Sequence, residues 1–193
     1  MIASHPAFRT ACAVALVVTA AGCVGQRSSR APAPVGVSRA ERAVLTAALA
    51  YVAGGSHGNI APTPLVVDDT SRADTGFGGS AGVTSPELVA AFRRANATAI
   101  VWRGPLPLPP FARYASAVGV DSLRVARGAI TDAAGQHVEL VRLSRVGFNR
   151  DATEAVAYIA ITCGWLCGTG GWFIFQRTGA GWSVKQRVMN WLS

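Results

Sequence analysis

Lysine is almost missing from this chain. Lys185 is the only one in 193 residues, so the other members of the 18 basic side chains are arginines. They are scattered, with no run longer than Arg93-Arg94, which excludes a basic stripe able to track phosphates. Nucleic acid is therefore not an expected partner. Acidic side chains number 10 and histidines 3. His57 and His137 lie far from each other and from any carboxylate pair, so no metal-ligand spacing is visible and no metal or cofactor is expected. No apolar run approaches the roughly 20 residues that span a bilayer as a helix; the longest covers residues 11–21.

That apolar run carries the clearest information. It follows a start whose only charge is Arg9 and ends in small residues, Ala20-Ala21-Gly22, before Cys23. A charged start, a short apolar core and a small-residue cut are the parts of a cleaved secretory signal. Ala20-Ala21-Gly22-Cys23 also resembles the lipobox of bacterial lipoproteins. That resemblance implies cleavage before Cys23 and acylation of its thiol and amine by two or three chains, palmitate among them, enough to hold a protein stably on a membrane. Val24, rather than Asp, after the cysteine implies the outer membrane in a Gram-negative cell. Ala20 and Gly22 equally suit an ordinary signal peptidase, so plain secretion is the alternative.

The expected organisation is a signal peptide over 1–22, a flexible tether over 23–37 and a single α+β domain over 38–193. The tether is polar and Pro-containing, and could extend about 45 Å. Removing Arg9 with the signal lowers the net charge from +8 to +7. Of the four cysteines, Cys12 leaves with the signal and Cys23 would carry lipid. Cys163 and Cys167 remain as one pair in an oxidising compartment.

Ser38-Arg39-Ala40-Glu41 is a capping box, in which Glu41 would reach back to the Ser38 amide. Behind it Val44, Leu45, Leu49 and Val52 recur at helical spacing until Gly54-Gly55. A short strand is expected over 64–67. A second helix starts at Ser85-Pro86, with Leu88, Val89, Phe92 and Ala95 as its apolar side. Residues 98–102 read as a strand, ended by a Pro-rich stretch. Four further strands are expected over 140–146, 154–162, 171–176 and 183–189, rich in Val, Ile, Phe and Trp. Their short connections predict a curved antiparallel meander, with both helices packed on one face.

Three motif groups then mark out the last 50 or so residues: Leu143-Ser144-Arg145-Val146-Gly147-Phe148-Asn149, Cys163-Gly164-Trp165-Leu166-Cys167-Gly168, and Gly181-Trp182 with Trp191-Leu192-Ser193. On these the chain resembles an uncharacterised group of exported bacterial proteins, which implies a domain but no mechanism. The element order is similar to cystatin-like and nuclear-transport-factor-2-like folds, by analogy alone.

Cys163 and Cys167 fit a disulfide pinning a hairpin turn; the alternatives are a thiol redox pair or a Cu(I) site. Gly78-Gly79-Ser80-Ala81-Gly82 matches a nucleophile elbow literally, and Asp121 and His137 follow in triad order. It lacks the strand before it and the helix directly after it that the elbow requires, so it reads as loop. Asn149, Asp151 and Thr153 alternate like the start of a calcium loop but lack its glycine and closing glutamate, so an Asx-type turn is expected. Trp165, Trp172 and Trp182 are candidates for a ligand-binding groove, against the ordinary role of strand aromatics as core. No convergent acid, base and nucleophile is visible, so the catalytic residues are unknown. The expected role is a non-enzymatic envelope lipoprotein that binds a small ligand or partner protein. The alternative is an envelope enzyme or thiol factor working through Cys163 and Cys167.

Intact mass of the protein from its native membranes checks the address. The expected value is that of residues 23–193 plus acyl groups, with Cys163 and Cys167 inert to alkylation until reduced. A soluble, unacylated product would identify plain secretion instead.

Overall fold

Two main helices and a large sheet form because the chain alternates helical apolar stripes with strands that are apolar on both sides. The computed structural model describes residues 34–55, 63–71, 85–103, 106–119, 122–126 and 128–192. The elements run β1 (Pro34–Gly36), α1 (Arg39–Gly55), β2 (Leu65–Val67), α2 (Pro86–Ala95), β3 (Val101–Arg103), β4 (Ala112–Tyr114), α3 (Ala115–Val118), β5 (Arg124–Ala126), β6 (Ala129–Thr131), β7 (His137–Leu143), β8 (Gly147–Phe148), β9 (Glu154–Gly164), β10 (Cys167–Thr178) and β11 (Gly181–Leu192). The protein is α+β and β-rich. The signal segment, Cys23, His57, the Gly78–Gly82 motif and Asp121 lie outside the described residues.

The main sheet runs β11-β10-β9-β7-β2-β4, with β8 also paired to β9 and the β5–β6 hairpin paired to β7 through β6. Strands β9, β10 and β11 form the expected antiparallel meander, each longer than the sequence indicated. The sheet as a whole is mixed, however, because β2 pairs in parallel with both β7 and β4. All three β2 residues are fully buried. A short apolar run buried on both faces is the signature of an interior parallel strand. Residues 112–131, for which no separate element was expected, supply β4, α3, β5 and β6. Pro34–Gly36, expected to belong to the tether, pairs in parallel with β3.

The larger correction concerns the helices. They cover opposite faces of the sheet, not one. Side chains alternate across a strand, and on β10 Phe173 and Phe175 join α1's cluster with Val44, Leu45, Leu49 and Val52. Trp172 and Ile174 instead join Leu88 and Phe92 of α2. On β9, Ala155, Ala157 and Ile159 take the α1 side and Val156 the α2 side. A third cluster, Val66, Ala115, Ile130, Val138 and Leu140, extends the α2 side beneath α3 and β6. α2 lies so close to β8 that a Cβ on Gly147 would meet the helix backbone at 2.7 Å from the Phe92 Cα. Any side chain there would push the helix off the sheet.

Ser38 caps α1 as expected, accepting from the Glu41 amide at 3.1 Å, and Ser85 caps α2 through the Leu88 amide at 3.3 Å. The Glu41 carboxylate does not reach back to Ser38. It accepts from Arg145 Nε (3.1 Å) and Nη2 (3.0 Å) and from the Val146 amide (3.2 Å). The Glu41 side chain is 3% exposed, and these three donors replace the water it has lost. The bonds to Glu41 raise the Arg145 pKa, against the opposing effect of burial. Arg145 is tied to α2 as well: its amide donates to Asn96 Oδ1 (2.8 Å) and its carbonyl accepts from Asn96 Nδ2 (3.0 Å). Beside it, Ser144 Oγ accepts from the Tyr158 amide on β9 at 2.8 Å.

Removing one partner of a buried ion pair strands the other charge, at a cost of about 3 kcal/mol or more. Glu41→Ala is expected to lower unfolding stability by that amount in urea titration, and Glu41→Gln by less. Substitution of the exposed Arg94 is expected to leave the midpoint unchanged.

Candidate functional site

A helix rises about 1.5 Å per residue and a strand about 3.3 Å. The 17 residues of α1 therefore cover roughly 26 Å, whereas the 12-residue strands β10 and β11 run roughly 40 Å. The sheet overhangs the helix beyond Gly54-Gly55, and the two faces of the overhang are treated differently. On the α2 side, Trp191 fills it. The indole lies over Gly168 and Gly170, where Cβ atoms would collide with its ring, and Nε1 donates to Tyr158 Oη at 2.7 Å. Tyr158 and Phe92 each meet Trp172 edge-on, with centroids 4.7 Å apart.

On the α1 side the overhang is open. A cleft of about 360 Å³ lies between the last turn of α1, with Tyr51 and Val52, and strands β7, β9, β10 and β11. Phe173 forms part of its floor, with Tyr51 edge-on at 5.6 Å and 75°. The Arg187 guanidinium sits 5.5 Å above the Phe173 ring, and its Nη2 donates to Thr169 Oγ1 at 3.3 Å. Glu139 enters from β7, Ile161 adds apolar wall, and Leu192 forms the outer lip. The volume falls in the range of small-molecule sites, and apolar lining with a few polar groups is their usual make-up. The cleft can hold an apolar or aromatic body on Phe173 and Tyr51 while Arg187 offers charged donors to an anionic group.

Cys163 and Cys167 form a disulfide with Cα atoms 5.1 Å apart, lining the same cleft. The bond spans the β9–β10 turn, where Gly164 pairs with Cys167. Of the tryptophan candidates, Trp165 stands at that turn and is 72% exposed, while Trp172 is core on the α2 side. Trp182 packs against Phe148, centroids 5.7 Å apart, beside a second hollow of about 530 Å³ near Arg39 and Arg177. The three are on different faces or ends, so they form no common groove. His137 is exposed at the start of β7. Among the described residues no three His, Cys, Asp or Glu side chains come together to hold a metal ion. Asn149 makes the expected Asx-type turn, its Oδ1 accepting from the Thr153 and Glu154 amides at 2.9 Å.

Apart from Cys163 and Cys167, the cleft residues were not among the sequence candidates. Glu139 had a legible signal, since it falls in phase with the buried Val141 and Leu143 on β7, where a carboxylate is out of place. Tyr51 and Arg187 carried none, because their meeting depends on the overhang. Comparison with family models, curated proteins and solved structures finds no match. No helix among the described residues is long and apolar enough to cross a membrane.

A disulfide closing so short a loop contributes about 2 kcal/mol through chain entropy. Replacing both cysteines with serine is expected to lower stability by that amount in thermal or urea unfolding. An unchanged midpoint, combined with a thiol-exchange defect, would identify a redox pair instead.

Proposed function

We propose that the chain is an exported, lipid-anchored domain of the bacterial cell envelope that binds a small amphipathic ligand in the α1-side cleft and does no chemistry on it. The observation that carries this reading is the arrangement of Arg187 over Phe173 with Tyr51 edge-on, in the open cleft beyond the end of α1. An aromatic floor with one aimed cation suits an apolar body bearing a carboxylate, sulfonate or phosphate. Cys23 as lipid attachment, with the domain facing the periplasm or cell exterior, rests on the N-terminal residues. The disulfide supports the same address, because such bonds persist in oxidising compartments. The analogy with cystatin-like and nuclear-transport-factor-2-like folds concerns element order alone and adds no ligand.

One observation favours a second reading. Because the Cys163–Cys167 bond lines the cleft, a bound thiol could exchange with it, making the domain a redox factor. Burial of Cys163, 9% exposed, weighs against attack at that sulfur.

Anilinonaphthalene sulfonate serves as a probe, since it combines apolar rings with one anion. The folded chain is expected to bind it saturably at one site, as read by fluorescence titration. Tyr51→Ala and Arg187→Ala are each expected to weaken it about tenfold, the equivalent of losing roughly 1.4 kcal/mol. Arg150→Ala, a change of an exposed charge outside the cleft, serves as the control. Equal affinity in all four proteins would refute the assignment of the cleft.

A further inference from the structure

Beyond the lip of the cleft the sheet ends in a protrusion that the ligand reading does not use. The β9–β10 turn consists of Trp165 and Leu166, bracketed by the Gly164–Cys167 pair and the disulfide. Trp165 is 72% exposed and Leu166 68%. The end of β11 runs alongside, its Leu192 paired with Thr169 and Trp191 with Gly170. Leu192 is 81% exposed, Met189 43% and Trp191 37%. The neighbouring β5–β6 hairpin abuts the same place, for a Cβ on Gly164 would meet its Ala129 amide at 2.5 Å. That hairpin presents Val125, 53% exposed. With Tyr51 in the adjoining cleft, these are all the exposed large apolar side chains among the described residues.

We infer that this end of the sheet is an interfacial anchor that seats in an anionic phospholipid surface. Four observations favour lipid over a protein groove. The apolar residues stand on an exposed turn and along strand ends, which a deformable bilayer accepts without a complementary cavity. Their composition, Trp and Leu with Met, matches what settles at the headgroup boundary, where an indole has one apolar and one polar side. Arg187 lines the adjoining cleft and Arg124 lies on the exposed β5. The chain as a whole carries 18 basic against 10 acidic side chains, so an anionic surface attracts it. The disulfide holds the turn closed before contact, so little chain ordering is required at insertion. This contact is separate from the acyl chains expected at Cys23 and from ligand in the cleft.

The test uses the chain with Cys23→Ser, which cannot be acylated, and the same chain with Trp165→Ser and Leu166→Ser. Both are mixed with vesicles of phosphatidylglycerol and phosphatidylethanolamine, or of phosphatidylcholine alone. Cosedimentation gives the partition, and quenching of tryptophan fluorescence by brominated acyl chains gives the depth. The parent is expected to partition at least tenfold more strongly onto the anionic vesicles and to be quenched there. The double variant is expected to lose at least tenfold in partition and the quenching, with an unchanged melting temperature because both side chains are exposed. Leu192→Ser is expected to give a smaller loss in the same direction and stands in if the double variant misfolds. Equal partition of parent and variants overturns the inference, as does equal binding to neutral vesicles. Absence of vesicle binding, with a dimer that the double variant dissociates in sedimentation velocity, would assign the tip to a second copy of the chain and overturn it too.

Discussion

The Glu41–Arg145 ion pair is the joint on which the layered arrangement depends. A carboxylate in the first turn of a helix would ordinarily face water or close its own capping box. Here it is carried under α1 and satisfied by a guanidinium and an amide from the segment between β7 and β8. The same segment holds Asn96, the C-cap of α2, on the other side of the sheet, and Ser144 meets β9. Three residues at an interruption in the sheet thus connect both helices. A continuous strand could not do this, because its backbone groups would be used by its neighbours. The interruption frees them to bind a helix on either side.

Covering a sheet on both faces with helices of unequal length has a geometric result. α2 has 10 residues and α1 has 17, and neither matches the long strands. The surplus apolar area on one face is closed from within, by Trp191 lying on glycines. On the other face the pairing of Tyr51, Phe173 and Arg187 lines the surplus without filling it. The cleft is thus a by-product of helix length that the side chains around it have been fitted to, and its walls belong to core elements.

Much of the local structure was legible. Ser38, and Ser85 with Pro86, marked the helix starts, Asn149 marked a turn, and the β-branched and aromatic runs marked the long strands. The expectation that both helices share one apolar surface fails because the strands are apolar on both sides. The contrary signal was present: residues 155–161 and 172–175 are apolar without alternation, as strands covered on both sides must be. β2 and its three apolar residues carried the same message in shorter form. Glu41 looked like a local cap because its partner lies 104 positions away, and no local rule weighs such a contact. The cleft was hidden for a related reason, since its members come from five elements and only Glu139 breaks the pattern of its own strand.

The scarcity of lysine acquires a meaning at β11. This strand lies at the end of the sheet order, and among the described residues no strand pairs with its outer edge. A long unpaired edge is a template on which a second chain can add, the first step toward a fibril. Between Val184 and Gln186 the register slips by one residue against β10, and the extra residue is Lys185. Its ammonium reaches Glu154 at 2.5 Å, so the bulge is pinned in place. A kink and a hydrated charge midway along the edge interrupt the straight ladder that a docking strand needs. The chain's single lysine therefore stands where it guards against polymerisation.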